Sequence, residues 1–297
     1  GPQTAAWLRQ RQAEMLPCHY FHLVATVPAE LRPLCQRHQK LLYGLLMSIT
    51  TQAVTDLAAQ RRHLGARVGL LAVLHTWTGA LQLHPHVHLL VTGGGVTPDG
   101  HRWHAAPKRF LLPVKRLSRL IRERFAAALR HDHPELFAQV PASAWTQPWC
   151  TWCKPFGHGA AAVLTYLARY VFRIAMTNRR LLHMDDTHVT FQHLVRATGS
   201  WRQERLPGVT FLGRFLLHVL PKGFHKVRYY GLWHPARRPL YPRLRLQLQT
   251  TAARHSRTFD LAAPAPPATA GPKCPACGGS DLTLLQQLPR RNPAVVT

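Results

Sequence analysis

His84-Pro85-His86-Val87-His88-Leu89-Leu90-Val91-Thr92, running into Gly93-Gly94-Gly95, decides how the rest of the 297-residue chain is read. Leu89, Leu90 and Val91 make the apolar run of a buried strand, and the three glycines predict a turn that stops it. Side chains alternate along a strand, so His84, His86 and His88 fall on one face. Two imidazoles two residues apart on one face can share a divalent metal ion. Pro85 lacks a ladder donor, which suits the start of a strand. In a chain of 20 histidines an H-x-H pattern is weak by itself, and its weight comes from its surroundings.

Upstream, residues 66–77 read as another strand, joined to the histidine strand through a tight connection near Gly79. A hairpin loop centred on Ala80-Leu81 puts His75 opposite His86, where Cβ atoms sit roughly 4.5–5.5 Å apart. His75 is then a candidate third ligand beside His86 and His88, with His84 and Gln82 as the alternatives. A slip of one residue would send His75 to the other face. Residues 20–27, β-branched and aromatic, predict a first strand. From Ala29 to His63, Leu31, Leu34, Leu41, Leu42, Leu45, Leu46 and Ile49 recur at helical spacing, predicting one long or broken helix that Gly65 ends.

Downstream, Pro98-Asp99-Gly100 predicts a turn before a short piece around Trp103. Residues 113–131 interleave Leu117, Leu120, Ile121, Phe125 and Leu129 with Arg116, Arg119, Arg122, Arg124 and Arg130. This is an amphipathic basic helix whose outer face is either solvated or turned to phosphates. Residues 145–154 predict a strand that carries Cys150 and Cys153. Three residues apart on a strand, those thiols face opposite sides and do not share a metal. A turn at 155–159, a helix from Ala160 to Arg173, and strand pieces at 171–176, 188–191 and 194–198 follow. Val209 to Leu220 predicts a helix with Phe211, Phe215, Leu216 and Val219 on one side, and Phe224 to Leu232 a last strand. Residues 236–261 form a basic, partly helical extension. Residues 262–272, rich in Pro and Ala, read as a linker. The tail, 273–297, holds Cys274-Pro275-Ala276-Cys277, two of the four ligands that a structural Zn²⁺ needs.

Charge is the loudest global signal: 38 Lys+Arg against 12 Asp+Glu give a formal +26. Such a chain attracts polyanions, with nucleic acid first among them. No uncharged apolar run of ~18 residues occurs, so no membrane partner is expected. Six cysteines without a disulfide framework point to a reducing cytoplasm. Gly1-Pro2 in place of Met reads as a fragment or a processed chain.

Tyr166 and Tyr170 are four residues apart on the predicted helix and share a face. Such tyrosines are usually core aromatics, but these stand beside Arg169, Arg173, Arg179 and Arg180. A phenolate can attack a DNA phosphodiester and keep the 5′-phosphate as a covalent ester, and a metal can polarise the phosphate oxygens. That chemistry needs a metal pocket, a phenol aimed at it and cations along the strand.

Leu74-His75-Thr76-Trp77, the 84–95 stretch, Tyr166-Leu167-Ala168-Arg169-Tyr170, Asn178-Arg179-Arg180-Leu181 and residues 220–232 occur in one order over roughly residues 17–235. In that order they resemble the two-tyrosine HUH transposases of rolling-circle insertion sequences, the putative transposase family. The resemblance implies an α+β fold, with a central antiparallel sheet flanked by helices, the histidine strand in its middle and the tyrosine helix laid across it. It implies a catalytic domain over 1–235 that nicks single-stranded DNA at transposon ends and joins it to a target. In that reading His86 and His88, with His75, hold Mg²⁺ or Mn²⁺, and Tyr166 and Tyr170 are the nucleophiles. Arg169, Arg173, Asn178, Arg179, Arg180, Lys222 and Lys226 contact DNA. Family members usually begin with a cysteine-rich zinc-binding region, and this sequence starts just after where it would stand. A plasmid relaxase or replication initiator, a non-catalytic basic DNA-binding protein and a zinc-stapled module are the rival readings.

Overall fold

In the computed structural model, residues 14–156, 175–195 and 198–257 are described, together with Ala6 and Arg9. Tyr166, Arg169, Tyr170, Arg173, the 262–272 linker, Cys274 and Cys277 lie outside the described residues. The chain divides into two units, Gly1–Ala252 and Ala253–Thr297. Of the second unit only 253–257, the end of a helix, are described.

Five strands, β1 (Tyr20–Thr26), β2 (Arg67–Trp77), β3 (Leu83–Val96), β5 (Thr151–Phe156) and β9 (Val227–Gly231), form an antiparallel sheet in the order β5-β1-β3-β2-β9. A sixth, β4 (Trp103–Ala105), pairs with the end of β3. The histidine strand is therefore central, as expected. Alternation gives the sheet two different faces. Phe21, Leu23, Leu70, Ala72, Leu74, Val87, Leu89 and Val91 lie on one face and join the main core. Three helices supply much of the rest of that core: α1 (Arg32–Arg37), α2 (Gln39–Ala59) and α3 (Val114–Asp132). The fold is α+β, an antiparallel sheet flanked by helices.

The predicted helix from Ala29 breaks at His38, whose φ of −121° and ψ of 47° are not helical. Leu42, Leu46, Met47, Val54 and Leu57 of α2 are fully buried, each contributing about 1.5–3 kcal/mol by leaving water. Among the described residues α2 is the one helix long and apolar enough to cross a membrane, and its apolar residues face the core. On α3 several cations are used locally. Arg122 donates to the carbonyls of Thr146 and Gln147, Arg124 pairs with Asp56 at 2.6 Å, and Arg130 lies over the Phe137 ring.

The glycines after the histidines do not make a turn. β3 runs straight through Gly93, Gly94 and Gly95, because what those positions need is the absence of a side chain. A Cβ on Gly95 would stand 2.3 Å from the Arg67 carbonyl oxygen, and one on Gly93 would enter the His19 ring. Further corrections concern 143–156. Two short helices, α4 (Pro134–Phe137) and α5 (Ser143–Thr146), precede β5, so the strand starts later than predicted. It also continues through Pro155 and Phe156, which were expected in a turn.

A second, three-stranded sheet was not expected. It pairs β6 (Leu181–Met184), β7 (His188–Val195) and β8 (Ser200–Pro207). The piece predicted at 188–191 and the start of the one predicted at 194–198 belong to the single strand β7, which ends at Val195. Helix α6 (Gly208–Leu216) follows, shorter than predicted. Phe211 turns inward onto Val189, Phe191 and Leu206, whereas Leu216 and Val219 are exposed. The basic extension begins with a 3-10 turn at Pro235–Leu240 and continues as α7 (Tyr241–Arg257). Leu244 packs with Leu16, Val96 and Leu232.

The glycine positions generate a paired prediction. Gly95→Ala should destabilise the protein by about 1–3 kcal/mol, because backbone must move to admit the methyl group. Gly44→Ala, in the interior of α2 with nothing within 4 Å of the new Cβ, should stabilise it by about 0.5–1 kcal/mol. Thermal unfolding followed by circular dichroism should show melting shifts of opposite sign.

Candidate metal centre

The face of the sheet opposite the main core carries the histidines. β2 and β3 pair so that His75 lies opposite His86 and Val73 opposite His88. The connection is longer than an Ala80-Leu81 turn. Thr78 to Gln82 form the loop, and an irregularity between His75 and Trp77 absorbs the extra residue. Ligand nitrogens of His75, His86 and His88 lie within 4.8 Å of one another, a group that could hold a metal ion. His75 and His88 are buried, and His86 is half-buried. The alternative ligands Gln82 and His84 line the same cavity, of about 750 Å³.

The ring nitrogens are oriented by neighbours. His86 Nδ1 sits 2.6 Å from the His84 carbonyl oxygen, so Nδ1 is the protonated donor and Nε2 carries the lone pair. His88 Nδ1 lies 2.9 Å from His22 Nε2 on β1, with the two rings stacked at 5.1 Å. With the His88 Nε2 lone pair turned to a metal, its Nδ1–H donates to His22. His22 is itself buried and meets the Trp152 ring edge-on at 4.7 Å. Trp77 stacks on His75 at 4.8 Å and 16°, and Arg32 donates to His84 Nδ1. Such outer partners fix the tautomer and aim of ligating imidazoles. The donor set therefore fits a divalent cation.

The hairpin loop is held from outside its own sheet. The consecutive carbonyls of Gly79, Ala80 and Leu81 accept from Arg180, Arg214 and His218 respectively. Leu81 is buried and sits at φ 58°, in the left-handed region. Burial lowers the His218 pKa, against the raising effect of the Leu81 carbonyl; His218 Nδ1 also lies 3.2 Å from Thr76 Oγ1. Arg180 makes further bonds to the Ala175 and Gln192 carbonyls. Arg214 is steadied by Glu204 at 2.7 Å.

Of the residues expected at DNA, Arg180 lines the cavity. Asn178 and Arg179 are exposed in a 3-10 turn before β6. Lys222 is exposed, and Lys226 is half-buried with its pKa lowered by burial. No carboxylate is among the described residues lining the cavity. Cys150 lines it as well, whereas Cys153 joins the main core, where burial pushes its thiol up to about 12. Sequence reasoning missed His22, Arg214 and His218. His22 stands in a strand already recognised, but its contact with His88 depends on the β1–β3 register.

His22 yields a prediction. Where the triad holds Mn²⁺, His22→Ala should weaken binding about 10–100-fold, as loss of a partner that orients a ligand does. Titration calorimetry against the wild-type chain reads this directly; unchanged affinity would remove His22 from the centre.

Comparison with known proteins gives this arrangement a family. The model of the putative transposase family matches residues 69–239, more than half of the chain. Putative transposase y4qJ of Sinorhizobium fredii (strain NBRC 101917 / NGR234) is 40% identical over 245 residues, covering 76% of this chain and 61% of that protein. The transposase for insertion sequence element IS801 of Pseudomonas savastanoi pv. phaseolicola is 29% identical over 245 residues, covering 77% of this chain and 57% of that protein. The chain thus spans about three-fifths of the length of these curated relatives. No solved structure matches. The matched region takes in β2, β3 and their three histidines, the second sheet and β9, and the chain belongs to the putative transposase family.

Proposed function

We propose that the protein is a transposase that nicks single-stranded DNA at the ends of a mobile element and joins the held 5′ end to a target strand. The observation that carries this reading is the histidine triad in a cavity with no carboxylate among its described lining residues, in a chain of the transposase family. A formal +26 supports a polyanionic substrate, and six cysteines without a disulfide framework support a cytoplasmic place of action.

His75, His86 and His88 would hold the divalent ion. The all-nitrogen donor set suits Mn²⁺ better than Mg²⁺, which prefers oxygen ligands. Bound there, the ion would polarise phosphate oxygens and help orient the scissile bond. Tyr166 or Tyr170 supplies the nucleophile. Its phenolic oxygen loses its proton and bonds to phosphorus as the bond to the 3′ oxygen breaks. The 3′ end leaves as a hydroxyl after taking up a proton, and the 5′-phosphate stays on the tyrosine. With two tyrosines, one can hold a DNA end while the other cuts again. Arg169, Arg173, Asn178, Arg179, Lys222 and Lys226 serve as phosphate contacts, and Arg180 adds charge to the cavity wall while bracing the hairpin. Cys274 and Cys277 supply half of a separate Zn²⁺ site.

A covalent-adduct assay tests the reading. The protein is mixed with labelled single-stranded DNA carrying the element end, with Mn²⁺, and run on a denaturing gel. An adduct is expected with the wild-type chain. It should vanish in Tyr166→Phe/Tyr170→Phe and fall at least about 100-fold in His86→Ala/His88→Ala. An adduct that survives the double tyrosine substitution would overturn the covalent step, and no adduct with the cognate end would leave a DNA-binding protein without catalysis.

A further inference from the structure

We infer that Trp201 is a nucleobase-stacking residue in the wall of the histidine cavity, where the face of one unpaired base of single-stranded DNA lies against its indole. The inference deepens the function proposed above and rests on it. Three tryptophans line the cavity, and two are occupied by the histidines themselves. Trp77 lies flat on His75, and Trp152 packs its ring against His22. Trp201 is different. It stands on β8 directly across from Leu194 on β7. Among the described residues no ring stacks on it. It is 61% exposed and Leu194 is 44% exposed.

An indole offers a large flat apolar face, and with the exposed Leu194 opposite it Trp201 forms an apolar patch on the wall of a polar cavity. The chemistry of the wall says which ligand. Arg180 and five imidazoles, those of His75, His84, His86, His88 and His193, line the cavity, with no carboxylate among the described residues. An apolar peptide or acyl chain would match Trp201 but not the positive charge that Arg180 brings to the wall. A single nucleic-acid strand alternates an anionic phosphate with a flat aromatic base, and so matches both. The strand must be unpaired, because duplex bases hide their faces in their own stack.

The test is equilibrium binding followed by fluorescence anisotropy, with the full chain as wild type, Trp201→Ala and Trp201→Phe. The probes are a labelled oligothymidylate and an abasic phosphodiester strand of equal length and charge, at one fixed salt concentration. Electrostatic attraction is the same for both, so their affinity ratio reports the bases. The wild-type chain should prefer oligothymidylate. Trp201→Ala should reduce that preference about tenfold while leaving affinity for the abasic strand unchanged, and Trp201→Phe should keep most of it. Equal wild-type affinities, a preference kept in Trp201→Ala, or a parallel loss on both probes would overturn the inference. Binding needs no cleavage, so the two readings fail separately. A lost preference in a protein that forms no tyrosine adduct supports the stacking role and removes the nuclease. An adduct-forming protein whose Trp201→Ala variant keeps its preference removes the stacking role alone.

Discussion

The register between β2 and β3 is the constraint on which the candidate centre depends. His75 and His86 are brought together by strand pairing, and side chains on a strand repeat every two residues. A shift by one residue would drive His75 into the apolar face and bring Leu74 or Thr76 into the cavity. The apolar pattern resists that shift. Leu70, Ala72 and Leu74 match Val87, Leu89 and Val91 on the buried side, so the packing of the core and the convergence of the imidazoles are one arrangement seen from two faces. β1 adds a second lock, since its pairing with β3 places His22 beside His88.

A register set in the strands still has to survive at the turn, where the hairpin is irregular. The bonds from Arg180, Arg214 and His218 to three successive carbonyls serve that purpose. Arg180 ends the 3-10 turn before β6, Arg214 lies on α6, and His218 stands just after that helix. Segments flanking the small sheet are thus the support for the loop between two metal-ligand candidates. Glu204, one of only 12 acidic residues in the chain, pairs with Arg214 through one oxygen, and its other oxygen lies 3.5 Å from Nε2 of His193, which lines the cavity.

Much of the central sheet was legible because its strands are long and apolar on one face. The three histidines were legible because a hairpin ties sequence spacing to spatial pairing. What failed did so for identifiable reasons. The run Gly93-Gly94-Gly95 carries a local turn signal, but the decisive contact is with Arg67 and His19, which no local rule sees. Ser200–Pro207 shows no apolar alternation, since most of it is exposed and it is held by its ladder with β7. Phe211 and Leu216 look alike in the sequence, and only the position of the second sheet makes one inward and the other exposed. His22 was hidden for the converse reason: its strand was plain, its partner 66 residues away was not.

The last strand has an evolutionary consequence. β9 lies near the end of the matched region, yet it closes the free edge of β2, the strand that carries His75. A reading frame interrupted between His88 and Val227 would yield a chain with every histidine of the triad and an open row of backbone donors and acceptors along β2. Such edges recruit other chains. A gene that loses its 3′ coding sequence would therefore lose this protein to aggregation and proteolysis while its histidine codons were still intact. The motif can outlast the molecule in a genome.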